Sequence, residues 1–158
     1  MITIGYSLFA ISFSGYYKKK DWQAWADKHI LSSASKYDWL ADVALSRNID
    51  ELGRALCELI NSERENAEFA FSDAVIGFFY LQYLDKMFSL AELLNKSGNE
   101  ADCGLGASED CETFYELLNM LEKDSSLENN AHFLKRISML YEPFKLIAEQ
   151  QKEILENY

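Results

Sequence analysis

At 158 residues, 49% of them hydrophobic and 14% aromatic, the chain can bury roughly 70% of its unfolded surface and is too apolar to be disordered. Fifteen Lys and Arg against 26 Asp and Glu leave a net charge of -11, which argues against nucleic-acid and anionic-membrane partners, since phosphate neutralisation needs a basic face. One proline and seven scattered glycines are too little turn punctuation for a strand-rich protein, so composition predicts an all-α fold in a single domain over 1–158.

Residues 2–14 carry two patterns. Ile2, Ile4, Tyr6 and Leu8 alternate as in a strand, while Tyr6, Phe9, Ala10, Phe13 and Tyr17 recur as on a helix. A lone strand would leave its backbone unpaired, so a helix ending near Gly15 is expected. The three lysines that follow stand on the wrong side of the apolar run for a signal peptide, and its serines and glycines weaken it as a membrane span. Asp21 is placed to cap the helix DWQAWADKHI, with Trp22, Trp25, Ala26, His29 and Ile30 on one face. Ser32, Ser33 and Ser35 form the next loop, and Lys36 to Arg47, with Tyr37, Trp39, Leu40 and Val43, a short third helix. Asn48 to Glu51 is a capping box that opens IDELGRALCELI, and Ser62 to Glu65 repeats the pattern.

Phe69 to Leu94 is the most apolar stretch. Ala74 to Leu81 has no polar side and must be covered all round, whereas Gln82, Asp85, Lys86, Ser89 and Glu92 form a helical polar stripe. Asp73 and Asp85 bracket the apolar part well inside the ~20 residues that a membrane span requires. One central helix over about 67–96 is therefore expected. The polar run after Asn95 reads as a flexible acidic loop over about 96–110. Ser108 is a candidate cap for a helix whose apolar face is Phe114, Leu117, Leu118 and Leu121. Ser125 to Glu128 reads as another capping box before a last helix with Leu134, Ile137, Tyr141, Phe144, Ala148 and Leu155 inward. Pro143 predicts a kink or break near Tyr141. The whole is a bundle of roughly six or seven helices around the central one.

Chemical motifs are lacking. There is no phosphate-cradling glycine loop, no HExxH and no Glu-x-x-His. His29 and His132 are the two histidines, and Cys57, Cys103 and Cys111 lack CxxC spacing. They read as reduced cytoplasmic thiols, with Cys57 a buried small hydrophobe. No catalysis, cofactor or metal is expected, and a metal- or small-molecule-binding bundle using Cys103, Cys111 or His132 is the least favoured reading. What remains is binding. Acids cluster at Glu63, Glu65 and Glu68 and at Glu100, Asp102, Glu109, Asp110 and Glu112, and such carboxylates suit a basic protein surface.

The runs Trp22 to Ile30 (WQAWADKHI), Tyr37 to Leu40 (YDWL) and Asn48 to Leu52 (NIDEL) resemble the opening of small helical immunity proteins of bacterial toxin–immunity systems, those of contact-dependent growth inhibition in particular. The resemblance implies a cytoplasmic protein without catalysis that binds and neutralises the toxin of its own system. Joined to the charge, it makes a basic nuclease toxin the expected partner, occluded by the eight acids just named. The alternative is a helical adaptor that presents an apolar groove.

Overall fold

In the computed structural model, which describes residues 3–32, 38–104 and 106–158, the chain is all-helical: eight α-helices and two 3-10 turns, with no strand among the described residues. No described helix is long and apolar enough to cross a membrane. Two compact units form, one from residues 1–68 and 151–158, the other from residues 69–150.

The first unit contains α1 (Ile4–Phe13), α2 (Lys19–Ser32), α3 (Asp38–Leu45), α4 (Ile49–Glu63) and the end of α8 (Ala131–Asn157). The helical pattern wins in α1, where Ile4, Leu8 and Ile11 are buried together with Ser7 and Ser12. The buried Ser7 hydroxyl is satisfied by donating to the Gln151 side-chain oxygen. Trp22 and Trp25 anchor α2 as expected, their indole N–H groups donating to the carbonyls of Ser46 (3.3 Å) and Leu155 (3.0 Å). Asp21 caps from inside the first turn, accepting the Lys18 N–H at 2.7 Å. Asn48 caps α4 as its sequence predicts, accepting the Glu51 N–H at 2.9 Å, but the box is not reciprocal, since the Glu51 carboxylate accepts the Arg47 N–H at 2.8 Å instead of that of Asn48. The second box fails. Residues 62 and 63 are the end of α4, not the start of a helix, and the Ser62 hydroxyl bonds back to the Leu59 carbonyl. Ser33, Ser35, Lys36 and Tyr37, with Ile2, lie outside the described residues.

The second unit holds α5 (Phe71–Leu84), α6 (Leu90–Cys103), α7 (Cys111–Lys123) and α8 as far as Gln150. The expected helix over 67–96 is two helices. Lys86 adopts φ 60, and the N–H groups of Lys86 and Met87 bond to the carbonyls of Tyr83 (2.9 Å) and Gln82 (3.0 Å). That pattern closes a helix C-terminus, with lysine where glycine is usual, which is why no turn signal stands in the sequence. Ser89 and Glu92, read as part of a stripe, instead form the capping box that starts α6.

The expected loop over 96–110 is mostly helix, because α6 continues to Cys103. Its small residues are packed. Ser97 is fully buried and accepts the Tyr141 hydroxyl at 2.7 Å, and Gly98 lies under the Tyr115 ring. Asp110, not Ser108, caps α7, and Asn130 caps α8 by accepting the Phe133 N–H at 2.9 Å. Phe133 is buried where Leu134 was expected. Helix α8 runs through Pro143 without a break. The carbonyl that loses its donor there belongs to Met139, on the exposed face, where water is at hand.

Phe71 to Tyr80 are buried without interruption, so α5 is covered on all sides. Gly77 is the point of closest approach. A Cβ there would overlap the Phe144 carbonyl and sit 2.8 Å from the Ala148 methyl. Gly77→Ala should destabilise the protein by about 3 kcal/mol, measured by urea unfolding, because the obstacle is helix backbone and cannot rotate away.

Candidate functional site

The eight acids nominated from the sequence separate by unit and by role. Glu63 is no surface group. It is 7% exposed, and its carboxylate accepts the N–H groups of Gly5 (3.2 Å) and Tyr6 (3.0 Å). These are orphan donors of the first turn of α1, which Thr3 does not cap. Burial pushes the Glu63 carboxyl upward, against those hydrogen bonds. Glu65 and Glu68 are exposed nearby in sequence. Glu63→Ala should lower stability by about 2 kcal/mol in chemical denaturation, since two buried N–H groups lose a charged acceptor.

Glu100, Asp102, Glu109, Asp110 and Glu112 gather where α6 ends and α7 begins. Three have structural duties. Glu100 is half-buried and accepts the Ser72 hydroxyl at 2.9 Å, and burial again raises its carboxyl. Glu109 accepts the Thr113 hydroxyl at 2.7 Å, and Asp110 accepts the Glu112 N–H at 3.3 Å. Asp102 and Glu112 are exposed. Their field is legible at Cys111, whose thiol is pushed up first by burial, then by a hydrogen bond to Asp110 and by the charges of Asp102, Asp110 and Glu112. Both Cys111 and Cys103 donate to Asp102, at 3.8 Å each, one to each carboxylate oxygen.

Asp73, which the pattern of apolar residues did not single out, ties this end together. It is 5% exposed and accepts the Ser108 N–H at 2.8 Å, holding the α6–α7 connection to the first turn of α5. Its only sequence signal was an acid inside an apolar run.

Neutralisation is sparse. The three ion pairs among the described residues are Arg47–Glu51 (2.6 Å), which joins the residue before the α4 cap to the first turn of α4, and Lys145–Glu149 and Lys152–Glu156 (3.8 Å each), both within α8, and none touches the α6–α7 end. No group of three or more His, Cys, Asp and Glu side chains suited to a metal comes together among the described residues. His132 is exposed, and Cys57 is exposed rather than buried, beside an apolar groove. That groove, about 310 Å³ between α1 and α4, is lined by Phe9, Phe13, Ile49 and Gly53, with Phe13 45% exposed.

His29 lies in the first unit, 7% exposed, 4.3 Å from the Trp25 ring and 5.2 Å from the Tyr158 ring. Its Nε2 has no hydrogen-bond partner among the described residues. Burial, then the Lys28 charge, lowers its proton affinity below the ordinary 6.5. The unfolded chain therefore takes up this proton first, and the His29 contribution to stability is complete above about pH 6.5 and declines as the pH falls below it. His29→Phe should remove that component of the pH slope, read as the difference between the two proteins' urea midpoints from pH 7.5 down to about pH 5.5.

Compared with known protein families, curated proteins and solved structures, the chain matches none.

Proposed function

We propose that this protein is an immunity protein, which binds the basic toxin domain of its own system and neutralises it without catalysis. The observation that carries the reading is the α6–α7 end, where Asp102, Asp110 and Glu112 concentrate negative charge at one place with no ion-paired cation among the described residues. A nuclease toxin must be basic where it holds phosphate, and a preset array of carboxylates offers that surface a rival partner. Steering by such a field brings association toward ~10⁸ M⁻¹s⁻¹ at low salt. The resemblance of residues 22–52 to immunity proteins supports the same class. The duties of Glu63, Glu100, Glu109 and Asp110 leave four exposed acids, Asp102 and Glu112 at the α6–α7 end and Glu65 and Glu68 in the other unit; the contact is assigned to Asp102 and Glu112, where Asp110 adds its field.

The groove between α1 and α4 favours a second reading, an adaptor that takes an apolar side chain of its partner; binding there would be insensitive to salt.

Co-expression with the toxin encoded by the neighbouring gene tests the proposal. Growth should be restored, and the purified pair should bind. The double change Asp102→Lys and Glu112→Lys should slow association about tenfold and flatten its salt dependence, while Glu65→Lys with Glu68→Lys leaves both unchanged. Absence of rescue and of binding would end the proposal. Rescue with unaltered kinetics in the first variant would move the interface off the α6–α7 end.

A further inference from the structure

In the sequence Cys103 and Cys111 stand eight positions apart, without CxxC spacing, and read as reduced thiols that flank a glycine-containing loop. The fold sets them opposite each other. Gly98 lets the Tyr115 ring lie directly on α6, and the Tyr115 hydroxyl donates to the Asn99 side chain at 2.7 Å. One helical turn on from Asn99 is Cys103, and one turn back from Tyr115 is Cys111. The thiols therefore occupy the next rung of the same antiparallel seam. One contact places them together independently of that register. Both sulfurs bond the Asp102 carboxylate, one oxygen each. The Tyr115 hydroxyl, pushed up first by burial and then by the Asp102 charge, is held beside the same carboxylate. Cys103 is exposed and Cys111 half-exposed, so small reagents reach them.

We propose that Cys103 and Cys111 are a redox pair, which closes into an intramolecular disulfide by exchange with a small-molecule disulfide. The Cys103 thiolate, the more exposed, attacks one sulfur of the reagent, forms a mixed disulfide and expels one small thiolate. The Cys111 thiolate then attacks the Cys103 sulfur and expels the second. Two protein thiols are oxidised by two electrons, one disulfide is reduced to two thiols, and the two protons pass to the leaving thiolates. Closure takes both sulfurs off Asp102 and pins the end of α6 to the start of α7. The surrounding carboxylates select the reagent, because a cationic disulfide is drawn in and an anionic one repelled. None of this depends on the partner's identity.

The test uses the full chain with cystamine, a cationic disulfide, or oxidised glutathione, an anionic one. Remaining thiols are alkylated, and the protein is cleaved after glutamate, which separates Cys103 (peptide 101–109) from Cys111 (peptide 110–112). The expected product is these two peptides joined, with the loss of two hydrogens, formed about tenfold faster with cystamine. Cys111→Ser should stop at a mixed disulfide on Cys103. The proposal is overturned by stable mixed disulfides on both residues of the unaltered chain, by links to Cys57 or between chains in place of the internal one, or by a Cys111→Ser protein that forms no adduct at Cys103. Equal rates with the two reagents would overturn the selection by charge.

Discussion

Unit 69–150 depends on covering a helix that has no polar side. From Phe71 to Tyr80 every residue of α5 is buried, and an apolar cylinder of this kind is stable only if neighbours meet it all round. Gly77 makes the tightest of those meetings possible by letting the Phe144 carbonyl and the Ala148 methyl of α8 come down to the α5 backbone. Gly98 does the same for Tyr115 on the α6–α7 side, and Ser97 supplies the acceptor that the buried Tyr141 hydroxyl needs. Small residues here are not punctuation. They are the places where another element needs room.

A second theme is that polar groups inside the fold are satisfied from far along the chain. The α1 N-terminus is capped by Glu63, 57 and 58 residues away from the donors it serves. Ser7 finds Gln151, and Ser108 finds Asp73. A buried N–H needs an acceptor wherever the chain can bring one, and leaving it without one costs roughly 1–3 kcal/mol. Two buried atoms are exceptions among the described residues, the Ser12 Oγ and the His29 Nε2; the latter lies beside the Trp25 and Tyr158 rings, and burial lowers its proton affinity.

These constraints reorganise the electrostatics. The charge of -11 is a property of the whole chain, but acids that look equivalent in composition are not equivalent in space. Some are internal acceptors and some cap helices, and only those left over project a field. At the α6–α7 end that remainder is concentrated around two thiols, so one location couples the negative surface to the chain's only seam of opposed cysteines among the described residues.

The all-α class, the apolar character of Ala74 to Leu81, the Trp22 and Trp25 anchors and the Asn48 cap were all legible in the sequence, because each is a local effect of period or capping chemistry within a few residues. The helix over residues 4–13 was legible once an unpaired strand was ruled out. Legibility stopped where a residue's role depends on a distant partner. Lys86 ends α5 in a conformation usually left to glycine, and Ser97 and Gly98, loop-like in composition, sit mid-helix under two tyrosines. The same holds for the candidate site. Sequence alone determined that acids cluster in this stretch and that cysteines stand at 103 and 111. Only the tertiary structure decided which carboxylates are occupied and that the two thiols share one of them, because pairing α6 with α7 sets which side chains meet.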